Sequence, residues 1–256
     1  MKKKRLSSSL KTLGVILALC LFPFAFQSDA RPEAVLEVGK FSNAAAGGEF
    51  PQGWIPMTFN KIPRHTRYEL VMDAGRVVVK ATSEASSSGL VRKIRIDPQE
   101  YPLIEWHWKV LNIYRKGDVT TKAGDDYPAR LYVTFEYNPA DAGLFDKLKH
   151  ETARLLYGEY PPGGAINYIW ESKIPKGSIV PNPYTDRVRM IVVESGDSLL
   201  NQWIQEERNI YADYKKAFKQ EPPFISGVAI MTDSDNTGEA ATAFYGDIIF
   251  KKDRNQ

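Results

Sequence analysis

The chain has 256 residues, 43% of them hydrophobic and 25% charged, with a formal net charge of +3 and one cysteine. That balance is globular, too apolar for a disordered chain and too weakly basic to track a phosphate backbone. Five cations (Lys2, Lys3, Lys4, Arg5, Lys11) and one acid (Asp29) lie in residues 1–30, so the remainder carries about −1, which gives no reason to expect nucleic acid or an anionic membrane as a partner.

Residues 1–30 are expected to be a cleaved export signal. A basic head from Met1 to Arg5 precedes residues 12–26, which have no charged side chain. That run is interrupted by Pro23 and is shorter than the roughly 20 apolar residues of a spanning helix. Small residues at Ser28 and Ala30 predict a mature start at Arg31, a periplasmic or extracellular location, and no membrane anchor after cleavage. Cys20 leaves with the signal. Residues 31–256 then exclude disulfides, thiolate metal sites and a cysteine nucleophile, and are long enough to bury a large core as one domain.

In chain order, alternating or β-branched runs bounded by turn residues predict strands at 35–41, 68–73, 76–82, 90–96, 103–110 and 129–137, then at 165–170, 188–194, 227–232 and 241–250. Asp73-Ala74-Gly75 predicts a tight hairpin turn. Two segments carry helical spacing instead. Leu144, Leu148, Leu155 and Leu156 form a stripe over 141–157; Leu200, Trp203, Ile204, Tyr211, Tyr214 and Phe218 recur at three- and four-residue steps over 199–218. The expected fold is mainly β, an antiparallel β-sandwich or jelly roll over 31–256, with two amphipathic helices packed on the outside. Their aromatic stripes read as core contacts.

Strand faces carry the candidate chemistry, because successive side chains point to opposite sides of a sheet. Over 103–110, Ile104, Trp106, Trp108 and Val110 oppose Glu105, His107 and Lys109; over 129–137, Leu131, Val133, Phe135 and Tyr137 oppose Arg130, Tyr132, Thr134 and Glu136. The apolar rows belong to the core. If the two strands are neighbours, Glu105, His107, Arg130, Tyr132 and Glu136 form one outer surface for a polar ligand, with Tyr132 stacking and Arg130 a surface anchor of little weight in stability. An ordinary solvated face with cross-strand ion pairs is the other reading.

Residues 233–238 supply a second candidate. Asp233, Asp235 and Asn236 converge with hydroxyls in a short connection between apolar strands. Asp233, Asp235, Thr237 and Gly238 match the first half of a calcium loop, but the twelfth position is Phe244 instead of glutamate. A complete loop of that kind is excluded, and Ca2+ is left only as an oxygen-ligand site at Asp233, Asp235 and Thr237; no other cofactor or metal is expected. Asp, Asn, Thr and Gly are also what any tight strand connection uses.

Four runs carry a resemblance: residues 106–110 (WHWKV), 125–130 (DDYPAR), 208–214 (RNIYADY) and 233–238 (DSDNTG). Together they resemble the bacterial family called domain of unknown function 3047, over about 41–250. The resemblance implies an exported β-sandwich and brings no catalytic or binding residues with it.

Known catalytic motifs are missing from the sequence: it has no phosphate-cradling glycine loop, no Gly-x-Ser-x-Gly elbow and no His-Glu-x-x-His, and His65, His107 and His150 fall on three separate segments. The residues therefore point first to a binding module for a polar small molecule such as a saccharide of the cell envelope. An alternative is a glycan hydrolase or lyase using carboxylates such as Asp233 with Asp235 or Glu105 with Glu136. A structural envelope protein without a small ligand is the third.

Overall fold

The computed structural model describes residues 35–137 and 162–253, within a compact unit Glu33–Gln256. The expected signal at 1–30 and the expected helix at 141–157 lie outside the described residues. The strands are β1 (Val35–Gly39), β2 (Trp54–Met57), β3 (Arg67–Asp73), β4 (Arg76–Glu84), β5 (Ser87–Ile96), β6 (Leu103–Val110), β7 (Ala129–Phe135), β8 (Gly164–Glu171), β9 (Ile179–Asn182), β10 (Thr185–Ser195), β11 (Ile204–Asn209), β12 (Ile225–Asp233) and β13 (Ala240–Lys251). Among the described residues one α-helix, α1 (Ile210–Phe218), lies between β11 and β12.

The strands form two sheets that share one core. The six-stranded sheet runs β11-β6-β13-β4-β3 with β1 beside β13, and the seven-stranded sheet runs β2-β5-β12-β7-β8-β10-β9. The expected β-sandwich is present. Its sheets have six and seven strands, and β8 runs parallel to β10, so the pairing is mixed where a purely antiparallel sandwich was expected.

Alternation decides which side chains meet between the sheets. Ile104, Trp106, Trp108 and Val110 of β6 are each at most 1% exposed. Trp106 packs at a tilt against Tyr168 of β8, ring centres 5.1 Å apart, and Trp108 against Trp170 at 6.1 Å, so aromatic rings tie the sheets together. The β3–β4 connection is the hairpin expected from Asp73-Ala74-Gly75: Asp73 pairs with Arg76, and Ala74 and Gly75 both have positive φ, 46° and 78°, as a two-residue primed turn requires.

The helix expected over 199–218 is corrected to its second half. Residues Ile204–Asn209 pair antiparallel with β6, Glu206 opposite Trp106, and the edge hydrogen bonds of that sheet outweigh a helical spacing that Leu200, Trp203 and Ile204 suggested. The helix starts only after Asn209, whose side-chain oxygen accepts the Ala212 N–H at 2.8 Å. It is not confined to the outside, since Ile210 and Tyr214 are buried in the core, Tyr214 4.4 Å from the Phe135 ring. Two short strands carry no legible alternation. β2 and β9 contain Pro56 and Pro181 and sit at opposite edges of the seven-stranded sheet, where a missing N–H costs no ladder bond.

Candidate functional site

Among the described residues, the outer face of the seven-stranded sheet is only partly covered. At one side Val119, Tyr127, Ile169, Met190 and Val192 form a second small core against Ile174, Val180 and Val188. Beyond it, over β5, β12 and β7, lies a cavity of about 1100 Å³.

One end of the cavity is a buried ionic cluster. Arg130 of β7 and Asp233 at the end of β12 are 3% and 2% exposed, and Arg130 Nε donates to Asp233 Oδ1 at 2.7 Å while its Nη2 also pairs with the same carboxylate. The guanidinium further donates to the Asp125 carbonyl at 2.9 Å and the Tyr132 hydroxyl at 3.0 Å, and it lies 4.5 Å from the centre of the Tyr127 ring. Burial works against the Arg130 charge, but Tyr132, Asp125, Tyr127 and Asp126 around it raise its pKa on balance.

Sequence-distant backbone is tied to this cluster. Asp126 accepts the N–H groups of Asn236 at 3.3 Å and Thr237 at 2.6 Å, fixing residues 233–238 against the segment that leads into β7. Gly238, with φ 70°, closes the turn by donating its N–H to the Ser234 carbonyl at 2.9 Å. At the rim, Tyr184 is 54% exposed; its hydroxyl accepts from Asn236 Nδ2 at 3.0 Å and donates to the Lys122 carbonyl at 3.1 Å. Burial raises the Asp125 pKa from its ordinary value, and burial followed by the Asp126 charge does the same for Asp235.

Six of the eight candidate residues share this cavity: Arg130, Tyr132, Glu136, Asp233, Asp235 and Asn236 all line it. Glu105 and His107 do not. They project from β6, in the other sheet, whose neighbours are β11 and β13, so the two polar rows lie on separate sheets and the expected common surface is corrected. Glu105 instead accepts from Lys251 at 2.9 Å, and Glu136 from Arg95 at 2.7 Å, so the two never form an acid pair. Arg130 is also corrected, from a surface anchor to a buried ion. Alternation places a side chain on a face but does not say whether that face is open.

The expected calcium ligands change as well. Ligand oxygens of Asp126, Asp233 and Asp235 lie within 4.8 Å of one another, a hard-oxygen set suited to Ca2+. Thr237 enters differently, its N–H on Asp126 and its hydroxyl accepting from Glu239 N–H at 3.3 Å. Asp233 is already matched to Arg130, so a cation there competes with a built-in guanidinium. Asp125, Asp126 and Tyr184 are the site residues that sequence reasoning missed; the Asp125-Asp126 pair directly before β7 was the available signal.

The family model described as "Protein of unknown function (DUF3047)" matches residues 52–249. Among curated proteins nothing matches. Among solved structures, the carbohydrate recognition domain of Emp47p is similar at 12% identity and a TM-score of 0.42, over 88% of this chain and 99% of that one.

Proposed function

Because the chain belongs to the family of unknown function DUF3047, we propose a function from the cavity itself: a binding module that holds a hydroxylated ligand of the saccharide class in the hollow over β5, β12 and β7. The observation that carries this reading is the rim of that cavity, where an exposed tyrosine, Tyr184, is held by Asn236 beside the part-exposed carboxylate of Asp235. Sugar rings are bound by such a combination, an aromatic face for the C–H side and carboxylate or amide groups for the hydroxyls. The buried Arg130–Asp233 pair holds the floor beneath them and fixes where Tyr132 points.

The test is a screen of soluble envelope oligosaccharides by calorimetry against the wild type, Tyr184→Ala and Asn236→Ala. Each variant should weaken binding tenfold or more while the melting temperature holds. Equal binding by both variants would remove the reading. His107→Ala is the control from the opposite sheet and should change nothing.

The raised pKa values of Asp125 and Asp235 favour a second reading, in which one of them is a protonated acid for glycan cleavage. Asp233 is a poor partner for such a step, being held by Arg130. Reducing-end release from the same oligosaccharides, lost in Asp235→Asn, would support cleavage over binding alone.

A further inference from the structure

The floor of the cavity does not have the composition of a sugar site. Strand register sets it out in rows: Ile55, Val91, Ala229 and Tyr132 stand side by side on β2, β5, β12 and β7, and the next row is Met57, Gly89, Met231 and Arg130. In the third, Gly227 lies between Lys93 and Thr134. On the open face of an antiparallel sheet these positions are ordinarily polar. Here the middle of the face is Gly89, Val91, Gly227, Ala229 and Met231, and Phe59 and Ile62 stand beside it in the cavity wall.

The small residues make the hollow. A Cβ on Gly89 would come within 2.8 Å of the Met57 side chain and 2.9 Å of the Ile230 carbonyl, so glycine there lets Met57 lie across the trough. A sugar laid on this floor would leave its hydroxyls without partners, which costs free energy for each one desolvated. An apolar chain would lose nothing.

The geometry points to an amphiphile as the ligand: an apolar chain on the Val91–Ala229–Met231 floor, and an uncharged, hydroxyl-rich head at the Asp235–Asn236–Tyr184 end. The charge of the head follows from the cluster beneath it, where the carboxylates of Asp125, Asp126, Asp233 and Asp235 outnumber the cations at that end, Arg130 and, over the Tyr184 ring at 5.1 Å, Lys122. An anionic head would meet excess carboxylate. This inference rests on the saccharide-class reading of the rim and adds the chain.

Alkyl maltosides with chains of 6, 8, 10 and 12 carbons, each below its micelle concentration, test it against maltose alone by calorimetry on the full chain. Affinity should rise by about tenfold for every two carbons, the increment expected when each methylene leaves water. Dodecanoate, with the same chain and an anionic head, should bind at least tenfold more weakly than dodecyl maltoside. Val91→Glu should abolish the chain-length dependence. Met57→Glu, on an edge strand, should do the same and serves if the first variant fails to fold.

An affinity independent of chain length would overturn the apolar chain and leave a plain saccharide site. Tight binding of dodecanoate and dodecyl maltoside alike, unchanged in Asn236→Ala, would overturn the head and the saccharide reading with it. No binding of dodecyl maltoside would overturn the inference outright, whatever the soluble sugars do.

Discussion

Arg130 shows how much one residue's burial changes its meaning. On an exposed strand face it would be worth little to stability, and its removal would register only in binding. Enclosed with Asp233, Tyr132 and the Asp125 carbonyl, it is half of a buried ion pair whose loss strands a carboxylate away from water. Arg130→Ala should therefore cost about 3–5 kcal/mol, read as a shift in urea midpoint, and the double variant Arg130→Ala/Asp233→Ala should cost less than the two singles added together. Arg130→Lys should also fail to restore full stability, because an ammonium cannot reproduce the planar fork that reaches Asp233 and Tyr132 at once. Tyr184, by contrast, is exposed at the rim; Tyr184→Ala should stay within about 0.5 kcal/mol of the wild type by the same assay.

At the scale of elements, the caps and pairings set the boundaries. Asn209 ends β11 and begins α1, so Asn209→Ala should cost about 1 kcal/mol, with helical circular dichroism falling before the β signal on mild heating. The same junction explains where sequence patterning stops being sufficient. Residues 103–110 were legible to the residue, because every second position is large and apolar and both neighbouring strands confirm the alternation. Residues 204–209 were not, since an edge strand needs only one partner and its own pattern is left loose. The site divides in the same way. The polar row of β7 and the 233–236 loop could be read from spacing alone. That Asp126 holds this loop could not, because the contact joins residues about 110 apart in the chain. Nor could the separation of β6 from β7, for alternation gives a strand's faces and says nothing of its neighbours.

For the whole molecule, one more buried group links the two sheets. Glu206 of β11 is 6% exposed and faces Glu194 of β10, itself 4% exposed and paired with Lys176. Burial, reinforced by the Glu194 charge against the opposing pull of Lys176, pushes the Glu206 carboxyl up to about 8. The folded protein thus holds a proton that the unfolded chain releases near pH 4.5, and stability falls as pH rises from there to about 8. Glu206→Gln should match the wild type below that window and exceed it by on the order of 2 kcal/mol above it. Denaturant titrations at pH 4, 6 and 8.5 would check this; parallel curves at all three pH values would refute it. The order of the six-stranded sheet has a consequence for when folding can begin. β13, the last strand in the chain, is bonded to β6, β4 and β1, so until residues 240–251 leave the ribosome those three strands have no common partner and one wall of the core is missing. The pairing of β1 with β13 joins Val35 to Lys251, residues more than 200 apart in sequence. Before that stretch is made, β1, β4 and β6 wait without their shared partner, an interval in which unpaired strand edges are open to aggregation.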